Sequence, residues 1–134
     1  NAILQIIQER RGIHKSELMR RCGKGWGNVG HHLQVLEEIG LIDTETRGRL
    51  LWIFDRRVER QDRDYIVATR QTPARRILEA LGLRHHPVTI RALSDELAVS
   101  KKVIRLHLST LQRAQAVNKV EGYPPAFEPA IRRK

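Results

Sequence analysis

Apolar residues recur at two different periods between Gly27 and Phe54, in GNVGHHLQVLEEIGLIDTETRGRLLWIF. Val29, Leu33 and Leu36 stand at i, i+4 and i+7, which is one stripe of an amphipathic helix. The spacing predicts a helix over residues 26–39, ended by Gly40 as its C-terminal cap. Alternation then predicts two strands, over residues 41–46 and 50–54, around the basic turn Arg47-Gly48-Arg49. Upstream, the pattern predicts a helix over residues 2–10, a short helix over about 16–22, and a tight turn at Gly23-Lys24-Gly25.

The same pattern returns 75 residues later. Ile13 falls on Val88, Leu18 on Leu93, Cys22 on Leu97, Val29 on Ile104, Leu33 on Leu108, Leu36 on Leu111 and Ile42 on Val117. At a shift of 74, Ile3, Leu4 and Ile7 fall on Ile77, Leu78 and Leu81. Internal repetition of this kind reads as one structural unit used twice. The second copy predicts helices over residues 73–81, 90–98 and 101–115. Thr72 is the expected N-cap of the first of these, with Pro73 at the first helical position, and Ser100 the expected N-cap of the last. Strands are expected at residues 117–120 and 126–127, around EGYPP, whose prolines bar a regular two-residue turn. The domains expected are residues 1–55 and 72–134. Residues 56–71, dense in balanced charge with a weak helical stripe, are expected as a linker, helical and docked on one domain.

Composition narrows the function. The 134 residues carry 25 Lys and Arg against 15 Asp and Glu, a net charge of +10, which favours polyanionic partners, nucleic acid ahead of an anionic membrane surface. Aromatics are only 4% of a chain that is 40% hydrophobic, so the cores are aliphatic. One cysteine, Cys22, rules out an intramolecular disulfide and fits a reducing cytoplasm. No apolar run approaches the ~20 residues that span a bilayer, so no membrane span is expected, and DNA rather than a membrane is the expected partner. The start at Asn1, already inside an apolar periodic segment, points to a fragment of a longer protein.

Helix, helix, turn, helix, hairpin is the order of a winged helix-turn-helix. VGHHLQVLEEIGLI and the basic hairpin after it resemble the third helix and wing of ArsR/MarR-like transcription regulators; TPARRILEALG resembles the first helix of the same families. The resemblance covers residues 1–54 and 72–128. It implies a fold that is mostly α with small β-hairpin wings (α+β), two winged helix-turn-helix domains in tandem, and a sequence-specific regulator that binds double-stranded DNA.

In such a fold the third helix enters the major groove and presents its outer face to base edges. With positions 104, 108 and 111 facing inward, Ser100, Lys101, Lys102, Arg105 and Ser109 become the candidate contacts of the second copy. Arg105 suits guanine acceptors; Lys101 and Lys102 suit phosphates. In the first copy the candidates are Lys24, Asn28, His31 and Gln34, where Asn and Gln match adenine. Gly27 and Gly30, unfavourable inside a helix, are expected to permit close backbone approach, and Trp26 is expected to pack. Arg47 and Arg49 at the first wing are suited to a minor groove or phosphates. The second wing carries no cation at its tip. Its prolines and KKVIRLHLSTL resemble Z-DNA-binding winged-helix domains, but that family's Asn and Tyr positions hold Arg105 and Ser109 here, which argues against Z-form recognition. Tyr123 and the prolines are suited to a sugar edge or a protein partner.

The six histidines and Cys22 lack the spacing of a zinc site, and the second helix has one Cys where ArsR metal sensors have Cys-x-Cys, so no metal or cofactor is expected. Cys22 reads as a small buried hydrophobe, with a thiol switch as the other reading. GKGWG is too short for a phosphate-binding loop, and neither a nucleophile elbow nor a paired carboxylate appears, which argues against an enzyme. Two other functions compete with the regulator: a winged-helix protein-interaction module, and a non-specific architectural or replication DNA-binding protein. Residues 1–60 hold 11 basic and 8 acidic side chains, residues 75–134 hold 12 and 5, so non-specific binding would lean on the second copy. A homodimer and an intrachain pseudo-dimer both stay open, as does a nucleoid-associated place in the cytoplasm.

Overall fold

The computed structural model of the chain describes residues 2–23 and 25–130, with the Trp26 side chain outside the description. The chain divides into two compact units, Asn1–Arg63 and Asp64–Lys134.

The first unit runs α1 (Ala2–Arg10), β1 (Gly12–His14), α2 (Lys15–Cys22), α3 (Trp26–Glu38), β2 (Ile42–Arg47), β3 (Leu50–Asp55) and the first turn of α4 (Arg60–Arg70). Its helices form because apolar side chains repeat at helical spacing. Ile3 and Ile7 from α1, Leu18 from α2, and Val29, Leu33 and Leu36 from α3 close one core with Ile13, Ile42 and Ile53. Cys22 packs at the edge of that core, half-buried. The sheet order is β1-β3-β2, all antiparallel, with Ile13 and Thr44 on either side of Ile53. The strand β1 is an element the hydrophobic pattern did not predict. Three residues are too few to show alternation, and only pairing with β3 makes them a strand. His14 ends it and caps α2, its Nδ1 accepting from the Glu17 N–H at 3.3 Å.

Trp52 and Phe54 are buried as well, stacked at 6.1 Å, so β3 is covered on both faces near its end. His14 meets Trp52 edge-on at 5.4 Å, and the Arg63 guanidinium lies 5.1 Å from the Phe54 ring centre. Arg63 also donates to Glu45 (2.7 Å), Asp43 (2.8 Å) and the Val58 carbonyl (2.9 Å). It thus fastens the start of α4 to the outer strand of the sheet. Burial alone would raise the Glu45 carboxyl, but hydrogen bonds from Arg63 and Arg47 outweigh it and hold the group below the usual carboxylate range.

The second unit holds the rest of α4, then α5 (Thr72–Gly82), β4 (Val88–Thr89), α6 (Ile90–Leu97), α7 (Lys101–Arg113), β5 (Val117–Val120) and β6 (Ala126–Pro129). Its sheet order is β4-β6-β5, with β6 central as β3 is in the first unit. Ala74, Ile77 and Leu81, Leu93, and Ile104, Leu108 and Leu111 build the core with Val88, Val117 and Phe127. Residues 56–71, expected as a linker, hold a turn and α4; Ile66 and Ala68 are buried, and Tyr65 and Ala68 pack with the second core.

Four local expectations are corrected. Thr72 is not the N-cap of α5: the first helical bond runs from the Arg75 N–H to the Gln71 carbonyl, so Gln71 takes that position without a side-chain cap. The helix α7 stops at Arg113 rather than at residue 115, because the Gln115 and Ala116 N–H groups turn back onto the Gln112 and Leu111 carbonyls. Arg47 is not in the wing turn: it pairs with Leu50 as the last residue of β2, and Gly48-Arg49 alone make the connection. Ile39, not Gly40, is the C-cap of α3; Gly40 follows it at φ 82 and closes the turn, with the Gly40 and Leu41 N–H groups bonded to the Glu37 and Leu36 carbonyls.

Candidate nucleic-acid interface

The helix α7 is set by its ends and its stripe. The Ser100 hydroxyl accepts from the Val103 N–H at 3.3 Å and starts the helix. Burial of Ile104, Leu108 and Leu111 then fixes its rotation. Lys101, Lys102, Arg105 and Ser109 are left exposed, as the spacing predicted. At 3.6 residues per turn these four span about 100° of the helix surface, one continuous face. None of the three cations is tied into an ion pair or hydrogen bond among the described residues. Leu106 is exposed on the same helix, and His107 is half-buried, its imidazole pushed below its ordinary value by desolvation.

On α3 the buried positions are Val29, Leu33 and Leu36, and Asn28, His31 and Gln34 are exposed on the other side. Gln34 donates to the Glu38 carboxylate at 3.4 Å. His31 lies edge-on to His32 at 6.2 Å. Lys24 and the Trp26 side chain, expected as a contact and as a packing residue, lie outside the described residues. No described atom comes within 4 Å of where a Gly27 Cβ would sit, so packing within the described chain does not require that glycine. Towards its C-terminus the outward face of α3 becomes apolar, with Val35 42% and Ile39 63% exposed beside Leu41 at 41%.

The two wing arginines separate. Arg49 is exposed at the turn and has no ion pair among the described residues. The Arg47 Nε donates to Glu45 at 2.9 Å, and its side chain is 25% exposed. Residues two apart on a strand share a face, so the register that takes Arg47 out of the turn also sets it beside Glu45. In the second unit the wing loop carries Tyr123, fully exposed, and Pro124 and Pro125.

The structure adds one residue that the sequence reading missed. Arg91, exposed in the first turn of α6, lines an open hollow of about 360 Å³ with Ile90, Lys101, Arg105, Pro124 and Pro125. The sequence shows Arg91 only as a solvated helix position; its place beside Lys101 and Arg105 comes from the packing of α6 on α7 and the return of the wing. Among the described residues no group of three or more His, Cys, Asp or Glu is placed to hold a metal ion, and no helix is long and apolar enough to cross a membrane.

Residues 1–43 match the family model described as winged helix-turn-helix DNA-binding. The match covers α1, β1, α2, α3 and the start of β2. It supports DNA binding by the helical part of the first unit. Comparison with curated proteins gave no match.

Proposed function

We propose that the chain is a sequence-specific, double-stranded DNA-binding transcription regulator of the ArsR/MarR-like kind, with two winged helix-turn-helix units in tandem. In this reading α3 and α7 enter major grooves, and the wings meet the minor groove or the backbone. The carrying observation is the outer face of α7, where Lys101, Lys102 and Arg105 are exposed and have no ion pair among the described residues. The recurrence of element order and strand order in both units supports the tandem. Asn28 and Gln34 supply the amides that suit adenine, and Arg105 the fork that suits guanine. No catalytic activity is assigned. Two units in one chain suit an intrachain pseudo-dimer on two half-sites, with a homodimer as the alternative that light scattering separates. A regulator of this kind works in the cytoplasm, on the nucleoid.

The test is a salt titration of affinity for a random duplex and for the DNA upstream of the chain's own gene. Preference for the upstream duplex that survives moderate salt is expected. Equal binding to all duplexes with a steep salt slope would move the protein to the architectural class. A second reading, a protein-interaction module, is favoured by the exposed Val35, Ile39 and Leu41 of the first unit. No binding to any duplex at low salt would select it.

A further inference from the structure

We propose that the hollow between α6, α7 and the second wing loop seats one sugar–phosphate strand of duplex DNA, and that Arg91 contacts phosphate there. The proposal rests on the DNA-binding reading above and adds to it a residue and a backbone-directed mode. The hollow joins two kinds of surface. Ile90, Pro124 and Pro125 give it apolar walls, which suit the carbon face of a deoxyribose. Arg91, Lys101 and Arg105 give it three cations, and no acidic side chain lines it. None of the three is paired with a carboxylate among the described residues, so Arg91 and Lys101 are available to a phosphate without breaking an internal bond, while Arg105 at the rim stays available to a base.

Two helices also begin at the hollow. Ile90 and Arg91 open α6, and Lys101 opens α7. The Thr89 hydroxyl takes the Ala92 N–H and the Ser100 hydroxyl takes the Val103 N–H. The remaining N–H groups of each first turn add positive potential where an anion would lie. The hollow is continuous with the outer face of α7 through Lys101 and Arg105. A strand seated in it therefore runs beside the face assigned to the major groove. Phosphates recur along every strand, so contacts made here position the protein and carry no sequence information.

The experiment uses the full chain and fluorescence anisotropy on two duplexes of unrelated sequence, from low to moderate salt. Arg91→Ala is expected to weaken binding to both duplexes alike, roughly three- to tenfold, and to lower the salt slope by about one. Arg91→Lys is expected to restore most of the affinity. Arg75→Ala removes an exposed cation of α5 that does not line the hollow, and is expected to do much less. If Arg91→Ala behaves like Arg75→Ala while Lys101→Ala with Arg105→Ala still weakens binding, the seat is overturned and the DNA reading stands. A loss confined to one duplex would overturn the backbone mode. If the unaltered chain binds neither duplex at low salt, the DNA reading falls and the seat with it.

Discussion

In the first unit Arg10, Arg11, Arg21, Arg47, Arg56, Arg57 and Arg63 each lie 2.7 to 3.9 Å from a carboxylate of the same unit. In the second unit Arg84 pairs with Glu96, whereas Arg91, Lys101, Lys102 and Arg105 have no ion pair among the described residues. The element order and strand order are the same. Exposed ion pairs add little stability, so the consequence lies mainly in the field each unit presents. Paired guanidiniums are largely neutralised at close range; free ones attract a polyanion. Net charge alone would have credited every arginine equally.

Arg63 is the strongest place to break the comparison. It is only 11% exposed and serves two carboxylates, the Val58 and Arg56 carbonyls and the Phe54 ring. Arg63→Ala leaves Asp43 and Glu45 without that partner and is expected to cost about 2–3 kcal/mol, the range for bonds to charged groups, reduced for partial exposure. Amide exchange at Leu33 should report the loss. Arg84→Ala in the second unit should cost less than about 1 kcal/mol at Leu108. Equal losses would mean that Arg63 is an ordinary surface pair.

The second break is in binding. Lys101→Ala with Arg105→Ala removes two cations that have no ion pair among the described residues, and is expected to lower the salt slope by about one, through Lys101, and affinity at least tenfold. In the first wing Arg49→Ala should weaken binding more than Arg47→Ala, because Glu45 already holds Arg47. If Arg47→Ala has the larger effect, the Glu45 pair must open on binding.

The part of this contrast legible in the sequence was the part set by local spacing. Val29, Leu33 and Leu36, and Ile104, Leu108 and Leu111, fix the rotation of α3 and α7, so Asn28, His31 and Gln34, and Lys101, Lys102, Arg105 and Ser109, are exposed as their spacing predicts. What the spacing could not show depends on neighbours distant in sequence. The strands β1 and β4 exist only because β3 and β6 pair with them. Arg47 left the turn because the register closed one residue tighter than alternation suggested. The pairing of Arg63 with Asp43 spans 20 positions, and Arg91 joins Lys101 only in the folded unit. Charges are counted in a sequence, but which of them are already committed is a tertiary property.

A smaller difference separates the helix ends. Two left-handed helix-end positions in the first unit are glycines, Gly23 at φ 65 and Gly40 at φ 82; their counterparts are Ala98 at φ 56 and Gln115 at φ 63. A Cβ in that region costs about 1–2 kcal/mol, partly offset by the lower unfolded entropy of a non-glycine residue. Ala98→Gly is therefore expected to stabilise the second unit by about 0.5–1 kcal/mol in chemical denaturation, and Gly23→Ala to destabilise the first by a similar amount. A neutral or destabilising Ala98→Gly would show that the surroundings of Ala98 relieve its strain.

The smallest effect is the dependence of each unit on pH, and the two should answer to different ranges. In the first unit Glu17, Glu45 and Asp55 have lowered values. For Asp55 the hydrogen bond from Arg57 is the main cause; for Glu17, bonds and charges from Arg21 and Arg10 outweigh burial. A carboxylate lowered by folding binds its proton more readily when unfolded, so it contributes stability above the unfolded value near 4. That contribution is lost as pH falls towards the folded value. Among the described residues of the second unit the shifted group is His107, lowered by desolvation. Its unfolded form also binds the proton more readily, so its contribution is present above about 6.5 and declines as pH falls from there to the folded value. Lowering the pH from neutral should thus loosen the second unit first, with the first unit following only below about 4.5. Amide exchange at Leu108 and at Leu33, followed from pH 7 to pH 4, reads the two separately. His107→Gln should flatten the Leu108 profile between pH 7 and 5 and leave the Leu33 profile as it was. If Leu108 is unaffected above pH 5, partial exposure leaves His107 free to take up its proton without cost, and acid sensitivity belongs to the carboxylates of the first unit.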